Sequence, residues 1–166
     1  MQHADAPLPP PPLENAAWEA WLREAVRSCP AYQTSEENAA LLEQCCAIAA
    51  KWRARFWDHP RSLWSRIRRG DRLVKELCEC IPVLVRTRDT VAALPPDTKP
   101  ITVLDLCSGF GYLSMFLSEV LAPYSSKVEK IVLVDVKWAP HNVAPGPTHL
   151  DPEHIFADGW PIRLTT

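Results

Sequence analysis

The sequence predicts an α/β protein, a helical N-terminal region followed by a small parallel sheet. Three observations predict it. Two short apolar runs, Ile101–Leu106 and Ile131–Val134, carry or are followed by an aspartate at their C-terminal ends, Asp105 and Asp135. Between them lie a turn with two glycines and a helical stripe, so the order is strand, turn, helix, strand: one βαβ unit. Ahead of residue 93 the apolar residues recur at helical spacing instead of alternating.

Taken in order, residues 1–13, with Pro7 and Pro9 to Pro12, read as a disordered or polyproline II tail. A helix is expected from about Glu14, with Trp18, Trp21, Leu22, Ala25 and Val26 on one side, and Cys29-Pro30 ends it. A second starts after Ser35, which is placed to cap it, with Glu36 and Glu37 in the first turn. Its stripe is Leu41, Cys45, Ile48, Ala49, Trp52 and Phe56, and Asp58-His59-Pro60 breaks it. A third helical stretch runs from about Arg61 to Ile81 through Trp64, Ile67, Val74 and Leu77, with Gly70 as a hinge and Pro82 near its end, and Val83-Leu84-Val85 offers an extension of its apolar face. Leu94-Pro95-Pro96 and Lys99-Pro100 form a linker.

The first strand follows. Ile101, Val103, Leu104 and Leu106 have the character of a parallel strand buried on both faces. A helix opens at Tyr112, with Leu113, Phe116, Leu117, Val120 and Leu121 on one face, and Pro123 stops it. After the second strand, Asp151-Pro152-Glu153 has the form of a helix start, and one further strand begins around Pro161-Ile162-Arg163-Leu164. The domain reading is therefore a tail (1–13), a helical region (14–93) and an α/β domain (99–166).

Composition bounds the function. The 166 residues suffice for one domain with an extension, and a net charge of −2 argues against a generic nucleic-acid binder. The 17 prolines, about twice the usual share, mark the N-terminus, 95–100 and 140–152 as irregular. There is no secretory pattern and no apolar run near the roughly 18 residues of a membrane span. The expectation is no membrane association, a cytoplasmic or nuclear setting, and reduced thiols at Cys29, Cys45, Cys46, Cys78, Cys80 and Cys107.

The βαβ unit is built for a nucleoside-containing ligand. Gly109 and Gly111 let backbone approach a ligand closely, and the N–H groups of the next helix favour a carboxylate or anion. Asp135, 24 residues after Gly111, is placed to accept both ribose hydroxyls. A nicotinamide fingerprint would need a third glycine where Ser114 stands. The spacing present is D-x-x-x-G-x-G, from Asp105 to Gly111. It resembles motif I of the class I S-adenosylmethionine-dependent methyltransferases, with Cys107 at the place of that family's first glycine. The resemblance spans residues 99 to 138 and implies a Rossmann-like methyltransferase sheet. It also implies S-adenosylmethionine as cofactor: Asp105 facing the methionine ammonium, Cys107, Ser108, Gly109 and Gly111 wrapping the methionine moiety with Tyr112 beside them, and Asp135 on the ribose.

The family sheet has seven strands, and here only 31 residues follow Asp135. One wall of the crevice is therefore expected to be missing, and no residue is identified as catalytic. The expectation is a partial, truncated methyltransferase fold whose uncovered apolar surface is met by the N-terminal helices, by a protein partner or by a missing C-terminal half. The alternative is a non-catalytic methyltransferase-like module that binds RNA or protein. RNA enters through Lys51 to Lys75, where nine basic residues face two acids and Trp52, Phe56, Trp57 and Trp64 are interleaved. A zinc site from Cys45, Cys46, Cys78 and Cys80 is disfavoured by spacing, and His141, His149 and His154 with Asp151, Glu153 and Asp158 lack a regular element to hold a metal.

Overall fold

The computed structural model describes residues 14–56, 71–139, 146, 149–150 and 153–166. The chain divides into two compact units, Met1–Glu79 and Cys80–Thr166. The expected proline-rich tail, Asp58-His59-Pro60, and the stretch from Arg61 to Gly70 with its hinge lie outside the described residues.

The first unit is helical: α1 (Asn15–Arg27), α2 (Pro30–Thr34), α3 (Glu36–Phe56) and the first turns of α4 (Asp71–Ala92). Glu14 caps α1, its carboxylate accepting the N–H groups of Ala16 and Ala17 at 3.0 and 2.7 Å. Pro30 was expected to end a helix, and α1 does stop before it. Pro30 then opens α2, because its fixed φ suits a first helical position and its missing N–H is one no helix needs there. Ser35 Oγ accepts the Asn38 N–H at 3.1 Å, the cap expected for α3.

Trp18, Leu22, Ala25 and Val26 of α1 pack with Leu41, Cys45, Ile48, Ala49 and Trp52 of α3 in the core. Arg53 is buried among them, its guanidinium 5.1 Å from the Trp18 ring and 2.9 Å from Asn15 Oδ1. Glu43 of α3 ties the other helices together by accepting from Arg23 of α1 and, at 3.3 Å, from the Tyr32 hydroxyl of α2. Cys29 and Cys78 are joined in a disulfide across 49 residues of sequence, which corrects the expectation of six reduced thiols. Cys46 keeps its thiol buried, and burial, with Glu43 nearby, pushes its pKa up to about 12.

In the second unit, α4 continues through Pro82 to Ala92, along the extension that Val83-Leu84-Val85 offers and within the helical region expected to end at 93. Burial of Ile81, Leu84 and Val91 keeps the helix going, although Pro82 leaves one rung of the ladder unmade. The Lys127 ammonium donates to the Ala92 and Leu94 carbonyls at 2.9 and 2.7 Å and so closes the C-terminus of α4.

The sheet comprises β1 (Ile101–Leu106), β2 (Val128–Val134) and β3 (Arg163–Thr165), parallel throughout and in the order β1-β2-β3. Helix α5 (Tyr112–Val120) packs against β2 and β3, burying Tyr112, Met115, Phe116 and Val120. Ser118 of α5 bonds both the carbonyl and the N–H of Ile162, at 2.7 and 3.0 Å, and sets the approach to β3. The short helix α6 (Glu153–Phe156) buries His154 and Ile155. In β1, burial on both faces is not what the structure has. Asp105 is inside at 7 % exposure, whereas Leu104 and Leu106 are 60 % and 68 % exposed. The strand register places Leu104 and Leu106 beside Val132 and Val134, on the side opposite Asp105 and Leu133. No helix among the described residues is long and apolar enough to cross a membrane.

Candidate functional site

The loop after β1 carries three residues with left-handed backbone in alternation: Cys107 (φ 62°), Gly109 (φ 54°) and Gly111 (φ 85°). For a cysteine this conformation is strained, and a glycine at that position would relieve it. The two glycines do different work. A Cβ on Gly109 would meet nothing within 4 Å, so the space beside it is open. A Cβ on Gly111 would lie 2.6 Å from Leu133 Cδ2 and 3.0 Å from Ile155 Cδ1. Gly111 therefore lets α5 start close against β2 and α6, the packing task that the dinucleotide fingerprint gives to its third glycine.

Asp135, at the C-terminal end of β2, holds this loop. Its Oδ2 accepts the Gly109 N–H at 2.9 Å and its Oδ1 accepts the Lys137 N–H at 2.9 Å. The Lys137 and Gly109 N–H groups keep its pKa below the usual carboxylate value. Each oxygen retains a lone pair, and the residue is half-exposed. Beside it a cleft of about 420 Å³ is lined by Leu106, Cys107, Val134, Asp135 and Val136, an apolar floor with one carboxylate. Its size falls within the range of small-molecule sites. Val136, 94 % exposed, gives the cleft a bare apolar surface directly after the acid.

Asp105 lies apart from this cleft. Ser114 Oγ of α5 donates to its Oδ2 at 2.7 Å, inside the fold. Burial raises its pKa, the two Ser114 hydrogen bonds oppose the rise, and the charge of Asp135 adds to it. Of the predicted site residues, then, Cys107 and Asp135 line the cleft and Gly109 borders it through Asp135. Gly111 and Tyr112 are packing residues, and Ser108 Oγ accepts from the Trp138 indole at 2.9 Å. Sequence reasoning missed Val136, Ser114 and Trp138. It also missed the contact of His154 Nε2 with the Phe110 carbonyl, 3.0 Å, which pins the glycine loop from α6. Only Ser114 left a signal, as the departure from the third glycine.

The basic stretch is only partly visible. Lys51 is exposed, but Trp52 and Arg53 are core residues and the Arg55 guanidinium stacks 4.7 Å over Phe56. Residues 57–70, with Trp57 and Trp64, lie outside the described residues. His149 Nδ1 accepts the Gly146 N–H at 2.8 Å, and among the described residues no three His, Cys, Asp or Glu side chains gather as a metal site. Neither a family model, nor a curated protein, nor a solved structure matches this chain.

Proposed function

We propose that this chain carries an S-adenosylmethionine-binding unit of the methyltransferase type. The observation that carries the reading is the Asp135 carboxylate, clamped by two backbone N–H groups at the end of β2 and set beside an apolar cleft of about 420 Å³. A carboxylate held this way is pre-organised and stays ionised, which suits a vicinal diol. The residues fit such a ligand in part. Asp135 has lone pairs to offer, Gly109 has open space beside it, and Val136 offers an apolar surface for a flat base. Asp105 serves inside the fold, bonded to Ser114, so the backbone of Cys107 to Gly109 would be left to hold the methionine end. When bound, the cofactor would supply a methyl group on a sulfonium. The described residues supply the means to hold it, and no general base is assigned.

An RNA acceptor is the substrate class this reading admits, carried by the basic residues between Lys51 and Lys75, of which Lys51, Arg72 and Lys75 are exposed, and a cytoplasmic or nuclear setting belongs with it. The engagement of Asp105 by Ser114 inside the fold favours a second reading, a module that has kept the fold and lost the chemistry. Calorimetric titration of S-adenosylmethionine into the purified chain tests the proposal, with Asp135→Ala and Asp135→Asn alongside. Saturable heat in the parent, weakened roughly tenfold to a hundredfold in both variants, is the expected result for the loss of a charge-assisted bond. Absence of heat in a folded parent rejects cofactor binding by this chain.

A further inference from the structure

We infer that the cleft between α6 and the start of β3 binds a nucleoside monophosphate, with the base against Phe156 and the phosphate on Arg163 and Lys130. The chain builds this cleft locally: α6 ends at Phe156, the backbone turns left-handed at Gly159 (φ 90°), and β3 begins at Arg163. The cleft measures about 340 Å³ and is lined by Ile155, Phe156, Asp158, Trp160, Arg163 and Leu164 among others. That volume lies at the lower end of the range for small-molecule sites, and apolar walls with a few polar groups are their usual lining. The Trp160 indole is held by its N–H, which donates to the His154 carbonyl at 3.0 Å. Phe156, 56 % exposed, leaves its ring bare. The cleft shares no lining residue with the one beside Asp135.

Charge chooses the ligand. Lys130 of β2 and Arg163 of β3 are register partners, so their side chains leave the same face of the sheet from backbones roughly 4.8 Å apart. Neither side chain has an ion pair or hydrogen bond among the described residues. Like charges placed side by side on neighbouring strands repel. The nearest residues of that face, Thr102, Val132 and Thr165, bring no acid to relieve it. An anion shared by the two cations would. A carboxylate carries one charge, whereas a phosphate monoester carries about −1.5 to −2 at neutral pH, which matches the pair. Phosphate beside a bare aromatic ring is the chemistry of a nucleotide, whose base has a face to stack. Asp158, on the same cleft, is an acceptor suited to ribose hydroxyls. The site needs neither the cofactor reading nor the basic stretch from Lys51 to Lys75.

Calorimetric titration of uridine monophosphate and of uridine into the full chain, each with S-adenosylmethionine present in excess, tests it. The monophosphate should bind saturably, and uridine at least about tenfold more weakly for want of the charge-assisted bonds. Arg163→Gln and, independently, Lys130→Gln should each weaken the monophosphate by about tenfold and leave uridine as it was. Phe156→Ala should weaken both ligands by about fivefold or more. Phe156 and Arg163 are exposed, so these variants should keep the parent's circular dichroism. A short oligouridylate with a terminal phosphate distinguishes the source: affinity equal to the mononucleotide's makes the ligand a free nucleotide, and tighter binding that still needs Arg163 makes it an RNA end. A folded parent that binds neither, equal affinity for uridine and its monophosphate, displacement by S-adenosylmethionine, or variants that bind as the parent does overturns the inference.

Discussion

Three left-handed residues within five make the loop after β1 sensitive to single atoms, and each has its own expected response. At Cys107 the conformation is strained, so Cys107→Gly should stabilise the fold by about 1 kcal/mol in urea denaturation, the relief partly offset by the unfolded state's added freedom. At Gly111 both dihedral and space are committed, so Gly111→Ala should cost about 2–4 kcal/mol, because Leu133 and Ile155 are packed and cannot easily yield. Equal small effects at both positions would contradict this division of labour. Asp105 makes a pH-dependent prediction. Its folded pKa is raised above the unfolded value of about 4, so its contribution is most favourable below that value and is lost as pH climbs through the folded pKa. Asp135, with a lowered pKa, works in the opposite sense and loses its contribution as pH falls. Asp105→Asn should therefore gain stability relative to the parent as melts are taken from pH 3 to pH 7, while Ser114→Ala, which strips a partner from a buried carboxylate, should cost about 1–3 kcal/mol. A difference between Asp105→Asn and the parent that is flat with pH would remove burial as the cause.

At the scale of elements, what could be read from the sequence depended on whether the pattern had one physical solution. The stripe Leu113, Phe116, Leu117, Val120 is compatible only with a helix on a core, and α5 is that helix. The run Ile101–Leu106 has two solutions, a strand buried on both faces or an edge strand with one bare face, and apolarity alone does not separate them. Helix cover decides: α5 packs on the Asp105 side, and on the other side Leu104 and Leu106, with Val134 of the central strand β2, stay exposed. Proline acts differently at the two positions for one reason: it forbids a helix interior far more strongly than a helix start, and burial can still override it. Hence Pro30 opens α2, and Pro82 sits inside α4 while Ile81 and Leu84 are buried on either side of it. The candidate site followed the same logic. Asp135 and the glycine loop were legible because strand ends and glycines leave local marks. The Asp105–Ser114 pair, Trp138 on Ser108 and His154 on Phe110 depend on contacts that no spacing rule encodes.

Over the whole molecule, a unit of fewer than 80 residues must find stability beyond its apolar core, and the helical unit has one covalent addition. The Cys29–Cys78 bond closes a loop of 49 residues between the start of α2 and α4. Cross-linking a loop of that length removes denatured-state entropy equivalent to about 4 kcal/mol at room temperature. The sequence held no trace of it, since six cysteines at irregular spacing permit many pairings and none is local. In a reducing compartment the pair would stand open as two thiols, so the helical unit would be the one whose stability follows the redox state. Hydrogen exchange read by mass spectrometry checks this. Adding reductant should raise the intact mass by about two hydrogens per chain and speed exchange in α1, α2 and α3. The amides of β1, β2 and α5, which belong to the other unit, should keep their protection. Alkylation of all six cysteines in protein never exposed to reductant would show that the bond is not formed, and the stability of the helical unit would then rest on the α1–α3 packing around Trp18 and the Glu43 ties alone.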